Sequence, residues 1–387
     1  MSHIVVVGGG FAGMWSAAAA AGVRADAAAA AGEPAAASPS LGTDGGLRIT
    51  LIAPNEDLVL RPWLHQADPD RARVALKRVL EPIGVEQLRA AVTEIDAERR
   101  LVTLDDGRTV GYDRLILATG SRLVRPDFPG ADRVFDVDTL AAADRLDAHL
   151  RARTPFRAVV VGAGFTGLEV ATELAERGEV VLVDLSEVVG SELGPGPRPH
   201  IEAALDELGV ERRLGVTVTE VGDGYARLSD GTRVDADAVV WTAGMRADSL
   251  TAQVGGARDG LGRLEVDAEL RVSGEIFAAG DTAAARVESG QVAVQSCQYA
   301  IPLGKTAGHN AAADLLGLPL KEFAPSPYVT CLDLGAAGAV YTQGRDREVQ
   351  VAGAEGKEIK KLILEVIRPP LDDAEAIFAA AAQVRTR

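Results

Sequence analysis

Short runs rich in Val, Ile and Leu recur along the chain, and each ends in a turn containing Gly, Asp or Pro. Their hydrophobicity is continuous rather than alternating, as in parallel strands covered on both faces. They predict strands at 4–7, 47–53, 114–118, 180–184, 238–241 and 275–279. Ala-rich stretches of helical character follow the first of these and a further Val-rich run at 158–161. Between the first helix and the second strand, 24–46 is rich in Ala, Gly, Pro and Ser without an apolar period, which predicts a surface insertion. Near the C-terminus Ile359, Leu362, Ile363, Val366 and Ile367 keep helical spacing, and Pro369 with Pro370 stops the helix. That face is expected to cover its own domain, the alternatives being a homodimer contact or shallow docking on a membrane, for which Lys357, Lys360 and Lys361 supply charge.

The pattern contains an internal echo: VVVGGGFAG, ending at Gly13, is answered by VVVGAGFTG, ending at Gly167. Each copy is a strand, a glycine turn and a helix start. Gly8, Gly10 and Gly13, and again Gly162, Gly164 and Gly167, permit a tight turn, close approach of backbone to a pyrophosphate, and close helix packing. Helix N-termini beginning at Phe11, Ala12 and at Phe165, Thr166 offer free N–H groups and a favourable dipole to the phosphates. Two dinucleotide sites are implied. In the second, Asp184 ends the next strand 22 residues after Gly162. A carboxylate there accepts from ribose hydroxyls and repels a 2′-phosphate, so NADH is expected over NADPH. The first unit has Pro54 after its strand instead, leaving Asn55 or Glu56 as candidates for the ribose.

Length and composition narrow the picture further. A chain of 387 residues, 47% apolar and with 42 glycines, fits a multi-domain α/β protein. A formal net charge of −16 argues against nucleic acid as a partner. Met1 to His3 run directly into the first strand, so no secretory signal is expected and a cytoplasmic setting fits. No apolar stretch is long enough to span a membrane. Cys297 and Cys331 stand far apart, which gives neither a disulfide framework nor a metal site.

With these motifs in order the chain resembles the two-dinucleotide flavoprotein family of pyridine-nucleotide oxidoreductases, most closely its type II NADH dehydrogenase branch. The resemblance spans nearly the whole length. LILATGS, ending at Ser121, resembles the family's crossing between domains, and implies Thr119 and Gly120 beside FAD. WTAG resembles the return crossing, with Ala243 and Gly244 beside NAD. AAGD resembles the second flavin motif, implying Gly280 and Asp281 at the ribityl chain, with Gln298 and Ala300 following on the next helix. Glu169 matches a glutamate that the branch places near nicotinamide and flavin, so Glu169 and Gln298 are the catalytic candidates. YVTCLDLGAAGAV, from Tyr328 to Val340, resembles the branch's C-terminal strand region.

Departures from the branch carry equal information. Where it has paired glutamines at a quinone pocket, this chain has Pro302 and Leu303, so the pocket is expected to be apolar. The membrane-docking tail is shortened and carries Asp372, Asp373 and Glu375. No Cys precedes position 297, which argues against a dithiol relay and against cysteine-based peroxide or sulfide chemistry. Cys297 is expected to be a packing residue near the flavin. His65, in LRPWLHQ, is expected to be a structural imidazole, with proton relay as the alternative.

The expected architecture is α/β: a discontinuous FAD domain (1–118 and 245–324), an inserted NAD(P)H domain (119–244), and a C-terminal cap (325–387). The expected activity is hydride transfer from NADH to FAD and onward to a soluble small-molecule acceptor: a quinone, another small aromatic, or dioxygen. Two alternatives stay open, electron delivery to a protein redox partner or a tailoring pathway, and an NADH-binding flavoprotein sensor with little turnover.

Overall fold

The computed structural model describes residues 1–31, 46–66, 68–287 and 290–383. Strand β1 (Ser2–Val7) buries Ile4, Val5 and Val6 completely and turns at Gly8 into helix α1 (Phe11–Ala30). β2 (Leu47–Ala53) lies parallel on one side of β1, with Ile4 opposite Ile49, and β3 (Glu86–Arg89) extends the sheet beyond it. β4 (Arg114–Leu117) lies parallel on β1's other side, with Val6 opposite Ile116.

The chain then leaves this sheet through β5 (Ser121–Leu123) and builds a second one. Helix α2 (Leu140–Arg151) precedes β6 (Arg157–Val161), α3 (Phe165–Ala175), β7 (Glu179–Asp184), α4 (Arg198–Glu207), β8 (Glu211–Leu214) and β9 (Ala238–Trp241). Its four parallel strands run in the order β8-β7-β6-β9. The return strand β10 (Met245–Ala247) pairs antiparallel with β5, so the outward and return crossings form a single ribbon. β11 (Arg271–Ser273) and β12 (Ile276–Ala278) complete the first sheet, whose order is β11-β12-β4-β1-β2-β3. The protein is therefore two Rossmann-like units, one inserted in the other.

Helix α5 (Cys297–Leu316) follows and crosses α1 with the two backbones in contact. A Cβ added at Gly304 would stand 2.3 Å from Ala12 O, and one at Gly308 2.0 Å from Ser16 O. Only glycine permits that approach. It holds α5 against the first turn of α1. A cap follows: an antiparallel sheet of β13 (Val329–Asp333), β14 (Ala339–Gln343) and β15 (Glu348–Gly353), then α6 (Ala354–Val366) and α7 (Ala374–Ala382).

Two sequence expectations need correction. The insertion expected at 24–46 begins later, because α1 continues to Ala30 and Arg24 is tied in, donating to Ile83 O at 2.6 Å. The segment 32–45 lies outside the described residues. In α6 the inward face is Gly356, Lys360 and Leu364, while Leu362 (63% exposed) and Val366 (68%) point outward. An ion pair of Lys360, described below, sets that rotation. Among the described residues no helix is long and apolar enough to cross a membrane.

Candidate active site

The first glycine turn sits between β1 and α1. Gly8 has φ +119°, and a Cβ there would fall 2.1 Å from Ala118 O; at Gly13 it would fall 1.8 Å from Gly8 O. Gly10 has open space in front of it, and no side chain caps α1. The free N–H groups at Phe11 and Ala12 thus border a cradle sized for an anion. Thr119 Oγ1, which follows Ala118 on this rim, is buried and has no hydrogen-bond partner among the described residues. Gly120 donates to Thr282 Oγ1 at 3.0 Å. Gly280 (φ +68°) lies against Ala12, and Ala300 is buried behind it. Asp281 Oδ2 accepts from Ser121 Oγ at 2.6 Å. The structure thus groups Gly8, Gly10, Phe11, Ala12, Gly13, Thr119, Gly120, Gly280, Asp281 and Ala300 around one rim, and its glycine-lined cradle and orphaned hydroxyl fit a dinucleotide such as FAD. Glu56 is exposed and paired with Arg89 at 2.5 Å.

The second turn repeats this geometry. At Gly167 a Cβ would lie 1.7 Å from Gly162 O, and Thr242 Oγ1 closes the rear by donating to Val161 O at 2.9 Å. Asp184 stands beside the turn, accepting from Ala163 N at 2.6 Å and Ser186 N at 2.7 Å. Trp241 Nε1 donates to Ala243 O at 2.8 Å, which shapes the crossing before Gly244. Phe165 is half-buried and Thr166 exposed at the start of α3. One participant was absent from the sequence reading: Glu192, whose Oε1 accepts from Phe165 N at 2.9 Å. It places a carboxylate where an anion would meet the N-terminus of α3.

Deeper in, four separate segments meet. Glu169, on α3, is 5% exposed; its Oε1 accepts from Lys360 Nζ at 2.6 Å and from Asp333 N at 3.0 Å. Burial by itself would lower the ammonium of Lys360, but the charge and hydrogen bond of Glu169 outweigh it and hold the pKa above its ordinary value. His65 Nδ1 lies 3.5 Å from Glu169 Oε2, and His65 Nε2 lies 3.8 Å from Asp333 Oδ2. Burial works against the Asp333 charge, yet His65 and Lys357 together hold that carboxyl down at about 2; Lys357 Nζ is 2.5 Å away. Of this cluster, sequence reasoning singled out Glu169 and His65 and missed Asp333. It also read Lys357 and Lys360 as surface charge, whereas Lys360 is 4% exposed. No local signal marks a lysine whose partner lies 191 positions away.

Gln298 has its side-chain amide engaged within the protein. Its amide bridges to the cap, donating to Pro327 O and accepting from Val329 N, each at 3.2 Å. Pro302 and Leu303 are buried within α5. Burial pushes the Cys297 thiol up to about 11, with Lys360 opposing and the charges of Asp281 and Glu169 adding to the rise. Cys297 is therefore held as a thiol rather than a thiolate. Burial does the same at Cys331, also to about 11.

Comparison with known proteins agrees with this geometry. The sequence profile described as Pyridine nucleotide-disulphide oxidoreductase matches residues 2–297. An "NADH dehydrogenase-like protein" of Mycobacterium tuberculosis is 44% identical, over 100% of this chain and 99% of that one. A demethylphylloquinone reductase of Synechocystis is 27% identical, over 76% of this chain and 78% of its own length. Among solved structures, a ferredoxin reductase of Rhodopseudomonas palustris superposes with a TM-score of 0.73 at 25% identity, over 88% of this chain and 82% of that one.

Proposed function

The chain belongs to the pyridine nucleotide-disulphide oxidoreductase family, and from that premise we propose that it oxidises NADH and passes the electron pair to a small diffusible acceptor. It is an FAD- and NAD(P)H-dependent oxidoreductase. The acceptor we assign is a quinone, with another small aromatic or dioxygen as chemical equivalents. One observation carries the reading: two glycine turns opening helices, one on each parallel sheet, neither with a side chain of its own at the N-cap, and no activated thiol between them. Electrons leaving the nicotinamide thus have no dithiol to visit, and the acceptor takes them directly from the cofactor.

FAD, when bound, supplies the two-electron exchange between nicotinamide and acceptor. Gly8, Gly10, Phe11, Ala12 and Gly13 would hold its pyrophosphate; Thr119, Gly120, Gly280, Asp281 and Ala300 would line the remainder. Gly162, Gly164, Phe165, Thr166 and Gly167 would hold the pyrophosphate of NADH, with Ala243 and Gly244 at the crossing and Asp184 on the ribose hydroxyls. Asp184 favours NADH because a 2′-phosphate would meet its charge. Glu169, fixed by Lys360 and the Asp333 N–H, presents a rigid charge where the two units meet. Gln298 we assign to positioning the cap on α5.

The domain assignment we adopt is 1–118 with 245–324 for FAD, 119–244 for NADH and 325–387 for the cap. The crossing ribbon of β5 and β10 supports those limits. A second reading, delivery to a protein partner, draws on the likeness to the ferredoxin reductase of Rhodopseudomonas palustris. The deciding experiment is the anaerobic visible spectrum before and after one equivalent of NADH, followed by a soluble quinone. Bleaching with recovery is expected. Bleaching that only a ferredoxin reverses would favour the second reading, and a protein that cannot be reconstituted with FAD would overturn both.

A further inference from the structure

His65 is the least explained member of the buried cluster. Its side chain is 5% exposed, its Nε2 has no hydrogen-bond partner, and carboxylates face it from two elements. From α3 come Glu169 and, one helical turn later, Glu173; from β13 comes Asp333. The cations facing this group come from α6: Lys357 holds Asp333 and Lys360 holds Glu169. A purely structural imidazole satisfies both ring nitrogens with fixed partners. This one has a carboxylate 3.5 Å from one nitrogen and another 3.8 Å from the second, which is too far for a hydrogen bond.

Outside the cluster an open cavity of about 420 Å³ is lined by Gln66, Glu173, Glu176, Gly335 and Lys357, among others. Gln66 adjoins His65 in sequence, and Glu173 reaches both spaces, since burial raises its pKa while the charge of His65 opposes the rise. Glu173 is thus a carboxyl lining the open cavity whose protonated form is favoured by burial. His65 Nδ1 faces Glu169 at 3.5 Å, the charge of His65 acts on Glu173, and the ionised Asp333 lies 3.8 Å from Nε2.

We propose that His65 is a proton-transfer residue linking the cavity, through Glu173, to Glu169. Neutral His65 with its hydrogen on Nδ1 takes a second proton at Nε2 from the cavity side and then gives up the Nδ1 proton to Glu169 Oε2; the ring is left as the Nε2–H tautomer and turns over to reset before the next transfer. The proposal rests on the NADH:quinone reading above, and the stoichiometry of that reaction requires such a supply. NADH, one proton and a quinone give NAD⁺ and a hydroquinone; NADH provides two electrons and one hydrogen, and solvent must provide the other proton. Reduction of two ferricyanide ions by NADH takes up no proton and releases one.

The test uses the FAD-loaded full chain as His65→Gln and as Glu173→Gln, with thermal melting to confirm folding. Anaerobic bleaching by NADH should stay within about twofold of the unsubstituted protein in both. Reoxidation by a soluble quinone should slow at least tenfold in His65→Gln and several-fold in Glu173→Gln, with an enlarged solvent deuterium isotope effect. A second readout needs no turnover: in FAD-free protein the His65 ring N–H should exchange with solvent several-fold more slowly in Glu173→Gln. Unchanged quinone reoxidation, or His65 N–H exchange indifferent to Glu173, would overturn the relay. Failure of NADH to bleach the unsubstituted protein would overturn the underlying reading instead.

Discussion

Glu169 and Lys360 meet at 2.6 Å between Oε1 and Nζ, both nearly sealed from solvent, one on the inserted nucleotide unit and the other on the cap. Such a pair gains little over apolar residues of equal volume, but removing one partner strands a charge in a low dielectric, at a cost of about 3–5 kcal/mol. Lys360→Met should therefore lower the melting temperature sharply. Glu169→Leu with Lys360→Met should recover most of the loss. Recovery should stop short of the starting value, because Asp333 N also loses its acceptor, worth about 1–3 kcal/mol. A double variant no more stable than Lys360→Met would show that the pair is not the main tie between cap and nucleotide unit.

The parts of this site that a sequence reveals are those set by local sterics. Gly8 and Gly162 need positive φ, and Gly13 and Gly167 need the absence of a Cβ, so each turn announces itself within ten residues of chain. Asp184 is legible because its distance from the turn is fixed by one helix and one strand. The Glu169, His65, Asp333 and Lys360 cluster is not legible as a unit, since its members come from four segments and meet only through tertiary packing. Lys360 even misleads: apolar spacing on α6 groups Leu362 and Val366 with the inner face, yet the ion pair rotates the helix and leaves both exposed. Glu192 was invisible for a similar reason, being an ordinary surface glutamate until the fold brings it to Phe165 N.

Glu192 accepts from Phe165 N at the N-terminus of α3, where the proposed NADH site would place a pyrophosphate. A Cβ added at Gly164 would lie 2.6 Å from Glu192 Oε1, which measures how closely the carboxylate presses on the turn. An anion at a helix N-terminus gains about 0.3–1 kcal/mol, and NADH must displace it. Glu192→Gln should tighten NADH binding about two- to five-fold, measured as Kd by titration of the FAD-free protein. NADPH should gain equally, because the effect acts at the pyrophosphate. Weaker binding would mean that Glu192 helps to hold the nucleotide.

Asp184 should set the choice between the two nicotinamide cofactors, and the adjacent Leu185, 71% exposed, is free to carry a substituent. Asp184→Ala removes the repulsion of a 2′-phosphate and Leu185→Arg supplies a partner for it. Together they should raise the ratio of kcat/KM for NADPH over NADH by at least about tenfold. The turn also loses an acceptor for Ala163 N and Ser186 N, so stability should fall by about 1–3 kcal/mol. An unchanged cofactor ratio would remove Asp184 from the ribose site.

Lys305 provides the clearest dependence of stability on pH. It lies inside α5, 6% exposed, with Nζ 4.4 Å from the Trp15 ring centroid and 2.9 Å from Gln383 O, and no carboxylate among the described residues is paired with it. Burial lowers its pKa from 10.5 to about 8. Between those two values the unfolded chain holds a proton that the folded chain has released, so this group makes stability rise with pH across that window. The buried thiols of Cys297 and Cys331, raised to about 11, act in the opposite sense once pH passes the unfolded thiol pKa, so the net slope of the protein does not isolate Lys305. A comparison with Lys305→Met does, since the cysteines cancel. Relative to that variant, the unsubstituted protein should gain roughly 1–2 kcal/mol between pH 7.5 and 9.5, allowing for partial solvent screening, read from urea midpoints at each pH. A constant difference would mean that Lys305 keeps its proton in the fold, held by the Trp15 ring and the Gln383 carbonyl.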